Sequence, residues 1–300
     1  MSPAVPGCVA ADHPLSRLTT VGTGGAARWF ARPRTQGELE EVLDWASQLQ
    51  LELAVVGLGS NLLAADQGYD GLVVRLAGEL AGIERRGDLV ACGGGASLAA
   101  VVRRCQEWGL SGIEFGCAIP GTAGGAVRMN AGAHGGDMAG VLAEALVTGP
   151  QVARRVAPDG LEMGYRRSNV GPAEVVSEVV LRLRPQPPEQ IRRTVAEMRR
   201  HRRETQPAKV RTFGSVWKNP AGDHSAGGLL EQCGMKGFAV GGARISPVHA
   251  NFVENTGTAT SADVLAVMVA ARRRAWEQFG VLLEHEVQFL GPIGLPPPPV

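Results

Sequence analysis

The segment Gly112–Gly136, GIEFGCAIPGTAGGAVRMNAGAHGG, constrains this chain more than any other. It is dense in glycine and alanine. Each interior glycine costs a helix about 0.5–1 kcal/mol relative to alanine. The composition therefore predicts neither a regular helix nor a filled core here. A chain accepts that cost where backbone must come close to something. Backbone N–H groups freed by small residues make an anion cradle, so a phosphate-bearing ligand is one reading. A tight turn between buried elements is the other.

Composition narrows the rest. Three hundred residues suffice for two domains and a sizeable core, and 44% hydrophobic with 20% charged residues describes a globular chain. No apolar run reaches the roughly 18 residues of a membrane span. The start, MSPAVPGCVAADHP, has no basic-then-apolar leader pattern. A net charge of +1 argues against nucleic-acid binding by bulk electrostatics. Five cysteines without a CxxC pair predict reduced thiols, a cytoplasmic setting and no metal site.

Along the chain, residues 1–12 read as a loose lead and 18–33 as a Gly-broken turn followed by a strand. Helices are expected at 38–50, with Leu39, Val42, Leu43, Trp45 and Ala46 on one face, and at 97–108, with Leu98, Val101, Val102 and Cys105 inward. Strands are expected at 51–57, 71–76, 88–93, 141–148, 175–183 and 282–290. PQPP at 185–188 marks a boundary, and an Arg-rich helix follows over 189–204. A short helix is expected at 225–234, extended chain over 244–255, and a helix from Ser261, read as its cap, to about Phe279. The last residues, GPIGLPPPPV, read as an unfolded tail.

A second cradle follows the 51–57 strand at Gly57-Leu58-Gly59-Ser60-Asn61. A Rossmann turn would need a third glycine where Leu62 stands and a helix where Asp66, Gly68 and Gly71 interrupt, so that reading is rejected. Other polar residues stay open between a role and a bland reading. Ser215 beside Gly214 is a turn residue or a functional hydroxyl. Arg166 and Lys218 are anion ligands or solvated cations. Glu286 alternates with Leu283, Val287 and Phe289 and is a site carboxylate or a solvent-facing strand position. His134 and His249 lack metal spacing and read as hydrogen-bonded structural histidines.

Taken in order, LTTVGTGGAAR, VVGLGSNLL, the 112–136 segment, YRRS, GSVWKNP, AGGLLEQCGMKG, ISPVHANFVEN and LEHEV resemble the UDP-N-acetylenolpyruvoylglucosamine reductase family over residues 13–291. The resemblance implies an α+β chain. A two-subdomain FAD-binding fold of the p-cresol methylhydroxylase type would span 13–187, dividing near 77–80. An α+β substrate-binding domain would span 188–291, with 292–300 as a tail. It implies non-covalent FAD held by Gly57, Gly59, Ser60, Asn61, Ile119, Pro120, Gly121, Thr122, Gly124, Gly125 and Ala126, and NADPH as co-substrate. The reaction implied is reduction of UDP-N-acetylglucosamine enolpyruvate to UDP-N-acetylmuramate, a cell-wall precursor, by a cytoplasmic monomer. Hydride passes from flavin N5 to C3 and a proton from Ser215 to C2. Arg166 and Glu286 stabilise the carboxylate, and Glu286 is expected to have a raised pKa. Tyr165, Gln206, Lys218 and Asn219 match substrate-binding positions.

Ala118, His134, Trp217 and Pro247-Val248 depart from the family's usual residues, and the chain resembles the shorter form without the tyrosine-bearing loop. Two competing readings remain. One is another flavoprotein on the same scaffold, with Cys117 or His134 as covalent flavin tethers. The other is a non-catalytic nucleotide-sugar binder, which would have no use for a proton donor.

Overall fold

The computed structural model describes residues 3–222 and 224–297. The first two residues of the expected lead and the last three of the expected tail lie outside that range. The chain forms two compact units that are not consecutive in sequence: 1–11, 29–58 and 71–202 make the first, and 12–28, 59–70 and 203–300 the second.

In the first unit, helix α1 (Gln36–Gln48) starts where Thr35 Oγ1 accepts the Glu38 N–H at 3.2 Å. It buries the five residues that its periodicity put on one face. They pack with Leu72 and Val74. Leu53–Val55 is a three-residue strand, shorter than the apolar run around it, and pairs in parallel with Leu72 to Val74 of the strand Tyr69–Val74. A four-stranded sheet continues through Ala26–Ala31 to Val9–Pro14, so the expected loose lead carries a strand.

Helix α2 (Leu98–Trp108) is capped by Ser97 and stopped by Gly109 at φ +66, a left-handed conformation that favours glycine. It buries Leu98, Val101, Val102 and Cys105. A five-stranded antiparallel sheet runs in the order Val152–Val156, Leu142–Gly149, Val175–Arg182, Leu89–Gly93, Ile83–Arg86. The Gly112–Gly136 segment corrects its sequence reading. It contains a short helix α3 (Ala123–Arg128), and Ile113, Phe115, Ala123, Ala126 and Val127 are core residues. Small residues let α3 lie close to the sheet: a Cβ on Gly124 would sit 2.7 Å from the Val176 carbonyl oxygen. Helix α4 (Pro188–Thr205) buries only Ile191 and Val195, as an exposed Arg-rich helix would.

In the second unit, α5 (Ala226–Gln232) and α6 (Ser261–Phe279) enclose a core with Phe213, Trp217, Leu229, Leu230, Val264 and Met268. A three-stranded antiparallel sheet orders Ala239–Val240, Ala243–Ile245, Val253–Asn255. Only Gln288–Leu290 of the expected closing strand is regular, and it pairs in parallel with Leu62–Ala64. The cap of α6 is Thr260, not Ser261. The Ser261 hydroxyl is buried and turned to the Ala64 carbonyl and Thr23 Oγ1 instead. Within the expected tail, Ile293 and Leu295 rest on this core, and Arg272 Nη1 donates to the Pro296 carbonyl at 3.0 Å.

Candidate functional site

The first unit holds a cleft of about 260 Å³ at the carboxyl ends of the parallel strands Leu53–Val55 and Tyr69–Val74. Ligands of open α/β sheets gather at such ends, where loops replace the ladder. Gly57, Thr122, Gly124 and Gly125, four of the residues expected from sequence, line it. Two loops are clipped together beneath them. The Gly124 amide donates to Gly94 O at 2.8 Å, Ala123 N to Ala96 O at 2.8 Å, and Leu98 N to Gly121 O at 2.9 Å. Thr122 caps α3 through its hydroxyl, which also approaches Gly57: a Cβ there would lie 2.5 Å from Oγ1.

Glycines in the cleft therefore serve two purposes. Gly57, Gly94 and Gly124 are required by protein neighbours, because an added Cβ would strike Thr122 Oγ1, Val176 O at 1.8 Å, or Val176 O at 2.7 Å. Gly125 is different. Its Cβ would meet nothing closer than Thr122 Oγ1 at 3.4 Å, and Gly121 is as open, with Ile119 at 3.9 Å. At those two positions no neighbouring protein group demands a missing side chain, and of the two Gly125 lines the cleft.

Residues that the sequence reading passed over complete the wall. Gly78, Gly94 and Gly95 line it, as do Arg32, Arg75 and Arg128 against a single acid, Glu174. Glu174 is committed elsewhere, accepting from Arg154 at 2.8 Å and from the Gly171 amide at 2.7 Å. Arg128 donates to Val170 O and Gly171 O, and its burial pulls its pKa down. The wall is thus net cationic. The signal in the sequence was the Gly-Gly-Gly run at 93–95 and the arginine within GLVVRL, just past the strand's end.

Arg166 lies in the first unit at the tip of a four-residue turn. Gly164 and Arg167 exchange backbone hydrogen bonds of 3.0 and 3.2 Å. Arg166 takes φ +56, a rare conformation for a residue with a side chain. Buried Asn130 holds the turn by donating to Gly164 O at 3.1 Å. Arg166 Nη2 donates to Gly132 O at 3.0 Å, and its Cζ sits 4.9 Å from the Tyr165 ring centroid. Strain of this kind persists where surrounding structure over-determines it, commonly at ligand sites. Cys117 and His134 do not line the cleft. The Cys117 thiol faces Val195 O, and His134 meets the ring of His201. Ala118 presents its carbonyl to Arg202 of α4.

The second unit brings Ser215 and Glu286 onto adjoining segments. The Glu286 N–H donates to Val216 O at 2.8 Å, Lys218 N to Glu284 O at 2.9 Å, and Trp217 faces His285 across an antiparallel bridge. Gly214 takes φ +84 just before Ser215. Lys218 Nζ pairs with Glu284 at 3.3 Å, and Asn219 Oδ1 accepts the Ala226 amide at the start of α5. Gln206 follows α4, partly buried. Gly59 and Asn61 also fall in this unit. Gly59, at φ +68, is pressed on Leu18 O, where a Cβ would come to 1.8 Å. Asn61 Nδ2 donates to Glu286 O at 3.1 Å. Ser60, Ile119, Pro120, Gly121 and Ala126 do not line the cleft in the first unit. His249 is a structural histidine as expected: its Nδ1 accepts the Asn251 amide, and burial lowers its pKa.

Residues 27–163 match the profile of an FAD binding domain, and residues 206–290 that of the UDP-N-acetylenolpyruvoylglucosamine reductase C-terminal domain. UDP-N-acetylenolpyruvoylglucosamine reductase 2 of Symbiobacterium thermophilum is 43% identical over 95% of this chain and 93% of its own length. The reductase of Paramagnetospirillum magneticum is 41% identical over 97% and 94%. The crystal structure of the Thermus caldophilus reductase superposes with a TM-score of 0.82 at 37% identity, covering 94% of this chain and 98% of that one. A cationic wall, bare at Gly125, fits the diphosphate of FAD. Both the flavin-binding part and the C-terminal part carry the likeness, and the chain belongs to the UDP-N-acetylenolpyruvoylglucosamine reductase family.

Proposed function

We propose that this protein reduces UDP-N-acetylglucosamine enolpyruvate to UDP-N-acetylmuramate at the expense of NADPH. In this reading 13–187 supplies the flavin domain and 188–291 the substrate domain of a cytoplasmic monomer, with 13–28 and 59–70 folded into the second unit; no helix among the described residues is long and apolar enough to cross a membrane. Gly57, Thr122, Gly124 and Gly125 would hold FAD, and Arg75 and Arg32 of the same wall would offset the charge of its diphosphate. Bound there, FAD supplies the two-electron relay between NADPH and the substrate alkene.

The residues of this chain handle charge and protons. Saturating an alkene conjugated to a carboxylate loads that carboxylate with further negative charge. A guanidinium about 4 Å away is worth about 4 kcal/mol at an effective dielectric of 20. Arg166 has that role, and its fixed turn and its bond to Gly132 O support it because they hold the fork in place before substrate arrives. Glu286 acts as a protonated or tightly hydrogen-bonded acid on the same carboxylate. Ser215 gives its proton to C2. Lys218 and Asn219 bind the nucleotide-sugar part, and Tyr165 and Gln206 are further substrate-binding residues.

The observation that carries this reading is the C-terminal match, because a different flavoprotein would share only the flavin part. That match contains Ser215 and Glu286 on adjoining segments. Ser215→Ala is expected to leave flavin reduction by NADPH within about twofold and to slow turnover of the enolpyruvyl substrate by about 10²–10⁴-fold, the usual worth of a positioned proton donor. Rapid-mixing measurement of the two half-reactions decides it. Equal loss in both, or in neither, removes Ser215 from the protonation role.

A further inference from the structure

Asn251 is 5% exposed and is an unusual choice for a core. All its polar groups are engaged. Its amide donates to His249 Nδ1 at 3.1 Å, and its carbonyl accepts the Val216 N–H at 2.9 Å. Its side chain then does what a neighbouring strand would do. Oδ1 accepts the Trp217 N–H and Nδ2 donates to the Trp217 carbonyl, both at 2.9 Å. Three hydrogen bonds from one residue thus fall on the two residues that follow Ser215.

The reason lies in the local path of the chain. Ser215 bridges Phe252 in antiparallel fashion, so Trp217 would next face Ala250. There the chain is turning, closed by the Phe252 amide on His249 O at 3.1 Å, and offers no ladder. The Asn251 amide replaces the missing rung. Trp217 is 2% exposed, so its backbone groups would otherwise be buried without partners. The opposite edge of the same segment carries Glu286 on Val216 O and Glu284 on the Lys218 amide. The 215–218 segment, which makes only isolated bridges, is therefore held on both sides, with Asn251 as the clamp on one of them.

We propose that Asn251 is a positioning residue for the reduction: it fixes the direction of the Ser215 hydroxyl. This rests on Ser215 being the proton donor. Asn251→Asp keeps the acceptor for the Trp217 N–H and sets a carboxylate against the Trp217 carbonyl; Asn251→Leu removes both bonds at similar volume. In the holoenzyme, Asn251→Asp is expected to lower the rate of the enolpyruvyl half-reaction about 10–100-fold. Flavin reduction by NADPH and the KM for the enolpyruvyl substrate stay within about threefold. Amide exchange at Trp217, read by hydrogen–deuterium exchange, accelerates in Asn251→Leu, which lacks the acceptor.

A purely structural role would lower both half-reactions together, or lower the melting temperature with kcat intact, and either result overturns the proposal. The double variant Ser215→Ala/Asn251→Asp is expected to be no slower than Ser215→Ala alone, since both act on one step. Multiplying losses would place Asn251 elsewhere and overturn it. If Ser215→Ala itself leaves the enolpyruvyl half-reaction unchanged, the parent reading fails and takes this one with it. If Ser215→Ala is slow and Asn251→Asp is not, only the positioning role is lost.

Discussion

Gly124 and Gly125 are neighbours in sequence and line one cleft, yet they are glycine for different reasons. Gly124 is squeezed between Val176 O and Gly94 O, at 2.7 and 3.1 Å from an added Cβ. Gly124→Ala is expected to destabilise the apoprotein by about 1–3 kcal/mol, the usual cost of overpacking. Gly125→Ala meets only Thr122 Oγ1 at 3.4 Å and lies inside α3, where alanine is favoured by up to about 1 kcal/mol. Its apoprotein is expected to melt at or above the wild-type temperature, while the FAD dissociation constant rises about tenfold because the methyl occupies cleft space. Melting curves with FAD titration separate the two, and wild-type FAD affinity in Gly125→Ala would refute its assignment.

At the scale of elements, α6 shows how a helix start is completed from a distance. Thr260 and Asp263 form a capping box. Asp66 accepts the Ser261 and Ala262 amides, both at 2.9 Å. With the Thr260 amide on Asp263 Oδ2 and the Asp263 amide on Thr260 Oγ1, all four N-terminal donors are satisfied. Asp66 is exposed, so solvent screens its charge. Asp66→Ala is expected to cost about 1–2 kcal/mol in denaturant unfolding. An unchanged midpoint would mean that the capping box alone suffices.

For the molecule as a whole, the two units have separate cores, and that of the first contains Cys92 and Cys105. All five cysteines are free. Burial pushes the Cys92 thiol from an ordinary 9.0 up to about 12, and Cys105 likewise to about 12. Above pH 9 the unfolded chain releases these protons and the folded chain keeps them. Stability is therefore full below pH 9 and falls as pH rises toward 12, by about 2 kcal/mol per thiol at pH 10.5. In Cys92→Ala/Cys105→Ala the decline in unfolding free energy between pH 8 and 10.5 is expected to be shallower than in wild type. Equal slopes would show that other groups cause it.

Local pattern was enough for much of this protein. The buried faces of α1 and α2 follow from periodicity, because helical neighbours three and four apart report their own environment. Eight ordered motifs were enough for the family. Sequence alone could not separate Gly124 from Gly125, nor assign Asn251 to Trp217 or Asn61 to the Glu286 carbonyl, a bond across 225 positions. It also could not show that 12–28 and 59–70 join 203–300, the first through Asn255 Nδ2 on Val21 O and the second through the parallel pair Leu62–Ala64 and Gln288–Leu290. Hydrogen bonds between distant segments depend on what folding brings opposite a group, and that leaves no mark on the residues beside it.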